Sequence, residues 1–265
     1  MTWNKINCFQ DFEECVRGFY NESKPSDENK YPRFLSWEHC YIQFQKVLND
    51  VYRNKVPTDE QKRNLALWLA WYLASWGMYR GSTALLNTNY EVHIPAVDIL
   101  LKSDWKSLNN LRCVDFAKNK TWEKLNSLYG EISDCYKNVF PHKEEKERVP
   151  TETLVTKILL GTLGCSPAFD DFFQNSISYN SSFILLKKEG KGVRSFKEKT
   201  MEALCSFYER NVGFIQLEKE LVLMDSDSDI SYPQMKILDM GFWYFWFKNG
   251  KKIKQERREM KNDFV

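Results

Sequence analysis

The sequence predicts an all-α protein of two packed helical lobes with a cleft between them. Apolar residues recur at every third or fourth position in many segments, which is the period of an amphipathic helix. No segment alternates apolar and polar residues convincingly over the length of a strand. Ligand pockets form preferentially where two lobes meet, so we expect a functional site in the cleft.

Size and composition indicate a folded chain without a strong overall charge. Of the 265 residues, 15% are aromatic, and the formal net charge is +2. A chain of this length can bury a sizeable core, and its aromatic content argues against disorder. Because there is no global positive field, binding to nucleic acid would depend on local basic patches.

Cysteine and histidine usage points to a reducing compartment. The seven cysteines include no CxxC pair, and the three histidines are widely separated. These patterns favour reduced thiols over disulfides and argue against a zinc site. The sequence also has no signal peptide and no apolar run of membrane length. We therefore expect a cytoplasmic protein, a monomer, that needs no cofactor and no metal.

The first predicted lobe covers residues 1–140. Its helices are predicted over residues 6–20, 36–54, 57–86, 95–105 and 121–136, the second of them capped by Ser36. The third helix opens with Pro57 and Thr58 and is apolar on nearly every side, which is typical of a central helix. It is the expected scaffold of the lobe.

Arg80 is the candidate binding residue of this lobe. Gly77 and Gly81 bracket it, so Arg80 is expected to emerge from the central helix at a bend. A guanidinium in such a place could hold a phosphate or a carboxylate through two hydrogen bonds. The alternative is an internal ion pair, for which Glu38 and Asp98 are the candidate partners.

The second predicted lobe covers residues 150–248 and follows a highly charged connection, which we expect to be exposed. Further helices are predicted after Phe196 and from Pro233. A basic tail, residues 249–265, ends the chain. This tail is expected either to contact nucleic acid or to remain a solvated terminus.

A helix-turn-helix stretch at the start of the second lobe organises the chain. An apolar helix is predicted to end at Gly164. Ser166 is expected to cap the next helix, with Pro167 at its first position and Asp170 and Asp171 in its first turn. Two carboxylates would then lie at the positive end of a helix dipole.

At these residues the chain resembles the helix-hairpin-helix DNA glycosylase superfamily. In that family a buried helix ends in Gly, a Pro follows, and an aspartate near the start of the next helix stabilises the charge that develops on the deoxyribose. Gly164, Pro167 and Asp170 stand in those places. The resemblance implies a glycosylase-like helical fold, DNA as partner and Asp170 as catalytic residue. The alternative is that Asp170 is only a helix-start residue.

Two departures from the family's pattern bear on the expected reaction. The glycine-rich hairpin that grips a DNA phosphate in the family is absent, since the chain reads KERVPTETL over residues 146–154. Members that also cut the strand carry a lysine at the start of the helix, where this chain has Thr151, Glu152 and Thr153, and Lys157 lies one turn later. The resemblance therefore implies a monofunctional enzyme that removes a base with water.

Pocket and backbone-binding residues follow from this scheme. A base inside a duplex must be flipped out to be reached, and aromatic walls would then hold it. The candidate pocket residues are Phe169, Phe172, Trp37, Trp76 and Arg80. The candidate DNA-backbone contacts are Lys157 and the basic segment with Lys187, Lys188, Lys191, Arg194 and Lys197. The alternative for that segment is an exposed loop that enters the next helix.

Three functions remain open from the sequence. The first is a DNA glycosylase, for example one that excises a modified base from invading phage DNA. The second is a helical protein without enzymatic activity that binds nucleic acid or a protein, such as a component of a defence system. The third, a hydrolase that uses Glu38 and His39, ranks last because no nucleophile stands at a recognisable spacing.

Overall fold

The computed structural model is all-helical, as predicted, and it describes residues 5–81, 83–118, 120–137, 139, 150–184, 195–223 and 230–262. The α-helices are α1 Phe9–Glu22, α2 Leu35–Val51, α3 Asp59–Ser75, α4 Ile94–Leu100, α5 Cys113–Phe116, α6 Thr121–Lys137, α7 Glu152–Thr162, α8 Asp171–Tyr179, α9 Glu198–Glu209, α10 Gly213–Glu220 and α11 Gln234–Asn262. Short 3₁₀ helices span Ala84–Asn87, Tyr90–His93 and Ser103–Leu108. Within these ranges, β pairing is limited to one antiparallel bridge between Val222 and Ser231.

Helix starts are decided by local side chains in some places and by tertiary contacts in others. α3 begins at Asp59, two residues after the predicted opening at Pro57, because Thr58 caps it. The Thr58 hydroxyl accepts from Gln61 N, and the Gln61 side chain accepts from Thr58 N. The prediction that Ser36 caps α2 is wrong. The helix begins at Leu35, and the Ser36 hydroxyl accepts instead from Trp76 Nε1 at 3.1 Å.

α3 ends at Ser75, well before the predicted limit at residue 86, and a turn over residues 76–81 follows. Gly77 has φ +78° and Gly81 has φ +64°, values that other residues adopt with strain. Inside the turn, the Tyr79 hydroxyl lies 2.6 Å from His93 Nε2. The two glycines thus mark the end of the helix instead of a bend within it. The turn that follows is held to His93 by the contact with Tyr79.

One contiguous cluster of buried apolar side chains runs from α1 to α11. α11 packs along both α1 and α8, so the first and last helices of the chain are neighbours. The helix predicted from Pro233 continues without a break into the basic tail and ends at Asn262. No helix of the described ranges is both long enough and apolar enough to cross a membrane.

α7 is the most enclosed of these helices and it depends on a glycine. A Cβ built on Gly161 would lie 2.4 Å from Tyr72 Cε1 of α3, whereas a Cβ on Gly130 of α6 would meet nothing within 4 Å. We expect Gly161→Ala to lower the free energy of unfolding by about 1 to 3 kcal/mol, because α3 and α7 must move apart. Urea unfolding measures this change.

Gly130→Ala is the matched control for that variant. It places the same methyl group on a helix with open space around it, so it is expected to raise stability slightly, by about 0.5 to 1 kcal/mol, through helix propensity. Equal stability of Gly161→Ala and the wild type would contradict the close approach of α3 and α7.

Candidate functional site

A pocket of about 400 Å³ opens where α7, the start of α8 and α11 meet the turn after α3. Four aromatic side chains line it, Trp76, Phe172, Trp243 and Phe247. Five charged side chains line it as well, Arg33, Arg80, Lys157, Asp170 and Asp171. Surface hollows of about 520 and 540 Å³ lie elsewhere, but neither contains a buried ion pair. The aromatic and charged lining makes this smaller pocket the candidate site.

Asp170 is held by four donors at the edge of α8. Its Oδ1 accepts from Phe172 N at 3.0 Å and from Phe173 N at 3.1 Å, and its Oδ2 accepts from Lys157 Nζ at 2.8 Å and from Trp243 Nε1 at 3.2 Å. A carboxylate has about four acceptor positions, so this one is saturated by the protein. Both oxygens are therefore fixed in place.

The prediction that Ser166 caps this helix is wrong, because Asp170 itself is the N-cap and α8 begins one residue later. The connection before it is irregular and is tied to α11, since Ala168 N donates to Asp239 Oδ1 at 3.1 Å. Asp170 therefore does not lie in the first turn. Its side chain caps α8 by accepting hydrogen bonds from the first free N–H groups of the helix.

Lys157 belongs to the pocket floor, which corrects its prediction as a DNA-backbone contact. Its side chain is 4% exposed, against 15% for its ion-pair partner Asp170. The Nζ atom lies 5.1 Å from the centre of the Trp76 ring. A lysine buried in this way cannot contact the phosphate backbone of DNA that lies on the outer surface.

A second buried ion pair lies behind Trp76. Lys236 Nζ is 2.8 Å from Asp239 Oδ2 and 5.6 Å from the centre of the Trp76 ring. Burial lowers the pKa of Lys236 from its usual 10.5, and the charge of Asp239 opposes that shift. Trp76 therefore has buried ammonium groups of two ion pairs close to its ring.

Glu38 and His39 each contact an aromatic side chain. The Glu38 carboxylate is buried and accepts from the Tyr232 hydroxyl. His39 stacks instead on Trp68, with 5.9 Å between the ring centres. The two side chains have different neighbours, and neither lines the pocket.

Arg80 lines the pocket, and the ion pair offered as the alternative to a binding role is not formed with Glu38 or Asp98. Asp98 pairs with Lys62 at 2.8 Å, and Glu38 is bonded to Tyr232. Among the residues that the structure describes, no carboxylate lies within 4.0 Å of the Arg80 guanidinium. The group is exposed and packs against Gly77, where a Cβ would lie 2.7 Å from Arg80 Cζ.

Two predicted wall residues lie in the core instead. Phe169 is fully buried and packs on Phe173 and Phe196, because the connection before α8 turns it inward. Trp37 is also buried, and its Nε1 donates to Leu160 O at 3.1 Å. Of the predicted aromatic walls, Phe172 and Trp76 line the pocket.

The structure describes only the last residues of the predicted basic segment. Lys197 is exposed immediately before α9. Lys187, Lys188, Lys191 and Arg194 lie outside the described residues.

Two aromatic residues and one arginine of the pocket, Trp243, Phe247 and Arg33, escaped the sequence reasoning. Trp243 and Phe247 are four residues apart on α11 and stack with ring centres 5.0 Å apart. That spacing is equally typical of a core face, so it carries no separate signal. Arg33 precedes α2, and its guanidinium Cζ lies 5.2 Å from the centre of the Trp76 ring. No local pattern marks such a contact, because the two side chains are 43 positions apart in the sequence.

The described ranges contain no group of three or more His, Cys, Asp or Glu side chains arranged to hold a metal ion. Comparison with protein-family models, curated proteins and solved structures finds no match to this chain. The candidate site therefore has to be interpreted from its own geometry. Three cations and two carboxylates line it, which leaves one excess positive charge beside four aromatic rings.

Proposed function

We propose that this chain is a DNA glycosylase with a helix-hairpin-helix glycosylase-like fold, whose pocket is part of a cleft between two lobes and which acts as a cytoplasmic monomer. It would remove a base by hydrolysis of the N-glycosidic bond. The observation that carries the proposal is the fixed carboxylate of Asp170 in a pocket with four aromatic side chains. Aromatic walls suit a flat base, and a carboxylate suits a sugar that becomes positively charged.

Base binding would use the rings at the mouth of the pocket. Phe172 and Phe247 are both more than a third exposed, and each lies beside Trp243. A flipped base could stack on these rings without a change of backbone. Stacking of this kind contributes about 1 to 3 kcal/mol per base in single-strand binding proteins.

Asp170 would act by its charge. As the bond between C1′ and the base nitrogen breaks, its electron pair goes to the base, and the sugar gains oxocarbenium character. Water then bonds to C1′, and the proton that it loses balances the charge of the departing base. Because all four acceptor positions of Asp170 are occupied, the attacking water must be positioned by other groups.

The occupation of all four acceptor positions of Asp170 also favours a second candidate function. An aspartate that caps a helix and neutralises a buried lysine has a sufficient structural role. The pocket would then bind a nucleotide unit without reacting with it, in a nucleic-acid-binding protein of a defence system. Both candidate functions bind a nucleotide unit in the pocket, but only the glycosylase breaks its N-glycosidic bond.

Base release decides between them. Pure protein is incubated with DNA duplexes that carry normal, damaged or phage-type modified bases, and strand breaks are measured with and without alkali. We expect breaks at one class of base, and only after alkali. An absence of breaks on every substrate would contradict the glycosylase proposal.

Borohydride trapping tests the monofunctional mechanism in the same samples. Lys157 is held as the partner of Asp170, so we expect no covalent adduct between protein and DNA. Breaks without alkali, together with an adduct that Lys157→Gln abolishes, would show instead that the lysine attacks the sugar.

A further inference from the structure

We propose that Arg33 and Arg80 form a phosphate-binding pair at the pocket, which holds a phosphodiester group of the nucleotide whose base enters it. The assignment of the ligand to DNA rests on the proposed function. The pairing of the two guanidinium groups rests on the geometry of the pocket, to which both belong.

Arg33 is held in place before any ligand arrives. Its Cζ lies 5.2 Å from the centre of the Trp76 ring and 5.5 Å from that of Phe34, and its Nη1 donates to Ser75 O at 3.4 Å. A guanidinium stacked on aromatic faces keeps its in-plane N–H groups for other acceptors. Because the side chain is already ordered, binding costs it little conformational entropy.

Arg80 is positioned by the turn that ends α3. Its guanidinium lies against Gly77, whose missing side chain leaves the space that the group occupies. Tyr79, the neighbouring residue, is bonded to His93, and this bond anchors the turn to the core. The position of the Arg80 guanidinium thus depends on the conformation of the turn as well as on the conformation of its own side chain.

The two guanidinium groups lie close enough to repel each other. Burial lowers the pKa of Arg33 below its usual value, and the positive charge of Arg80 lowers it further. In the described part of the chain, neither guanidinium has a carboxylate within 4.0 Å, although Asp170, which is paired with Lys157, and Asp171 line the same pocket. A bound anion would relieve this repulsion and accept from both groups.

The neighbouring rings make a nucleotide phosphate the best-fitting anion. The arginines and the exposed rings of Phe172 and Phe247 line one pocket. A phosphate and the base of the same nucleotide could therefore be held together. The phosphate could belong to a DNA strand or to a free nucleotide, and the experiment separates these sources.

Binding to a duplex with one tetrahydrofuran abasic analogue, measured by fluorescence anisotropy, tests the pair without requiring base release. Arg33→Gln and Arg80→Gln are each expected to weaken binding about ten- to a hundredfold, because each loses a charge-assisted hydrogen bond to the phosphate. Each should also lower the slope of log affinity against log salt by about 0.9. Arg63→Gln, an exposed arginine of α3 roughly 20 Å away along the helix, is the control and should change neither.

A pair of glycine variants displaces Arg80 without removing its charge. A Cβ on Gly77 would collide with the guanidinium, whereas a Cβ on Gly81 would meet nothing within 4 Å. Both glycines have positive φ, so both alanine variants carry the same kind of backbone strain. Gly77→Ala is expected to weaken DNA binding more than Gly81→Ala at equal thermal stability.

The outcomes separate this inference from the proposed function. If the arginine variants bind abasic DNA as tightly as the wild type with an unchanged salt slope, the phosphate pair is wrong, even if base release occurs. If base release never occurs but both variants lose affinity, the pair stands and the glycosylase proposal fails. Direct binding of a nucleoside monophosphate that both arginine variants weaken, without binding of abasic DNA, would assign the pair to a free nucleotide and overturn the phosphodiester.

Discussion

Asp170→Asn is expected to reduce base release by at least about a hundredfold, which is the usual cost of removing one group that stabilises transition-state charge. The asparagine oxygen can still accept from Phe172 N and Phe173 N, and Asn is as good an N-cap as Asp, so the start of α8 should remain formed. The negative charge facing the sugar is lost. Single-turnover base release, with helix content checked by circular dichroism, measures both effects.

Stability must be followed in the same variant, because Asp170→Asn leaves Lys157 buried without its partner. Removing one member of a buried ion pair costs about 3 to 5 kcal/mol. The double variant Lys157→Met/Asp170→Asn removes both charges and should recover most of that loss. Asp171→Asn, which changes a carboxylate that has no ion-pair partner in the described ranges, is the control for stability.

The double variant also makes the activity result decisive. A folded Lys157→Met/Asp170→Asn protein that still releases no base would agree with a catalytic charge at residue 170. If it releases base at the wild-type rate, or if Asp170→Asn changes only the melting temperature, Asp170 is a structural cap and the catalytic role proposed for it is wrong.

Acid is expected to destabilise the fold through His93. Its ring is buried between two tyrosines, with Nε2 at 2.6 Å from the Tyr79 hydroxyl and Nδ1 at 2.5 Å from the Tyr136 hydroxyl. Burial lowers the pKa of His93 from 6.5 to about 3. Between these two values the unfolded chain binds a proton that the folded chain does not, so the free energy of unfolding falls as the pH falls.

The loss should reach roughly 3 kcal/mol at pH 4, at about 1.4 kcal/mol for each pH unit below 6.5. Urea unfolding at a series of pH values from 8 to 4 measures it. His93→Gln has no ring to protonate and is expected to lose less stability over the same interval, although it starts lower at pH 8. Parallel curves for the two proteins would contradict the prediction.

This histidine also links the fold to the pocket. Tyr79 lies in the turn that carries Arg80, so protonation of His93 would disturb the anchor of that turn.

Local signals were sufficient to predict most of the helices. The capping box at Thr58 and the left-handed Gly164 are short-range features, and α3 and α7 begin or end beside them as expected. Hydrophobic periodicity located the buried faces, because side chains three and four residues apart share one side of a helix. Where the boundary depended on a distant partner, as at Ser36 with Trp76, the prediction was wrong.

By itself, the sequence determined that the chain is helical and that Asp170 begins a helix beneath a buried one, since both follow from neighbours within a few residues. Only the tertiary structure decided what Asp170 meets. Lys157 reaches it from α7, and Trp243 reaches it from a helix 73 residues further along the chain. Likewise Arg33 joins Arg80 in one pocket through the packing of Trp76. Such contacts depend on how the helices cross, and a helical period specifies which face is buried but not which helix covers it.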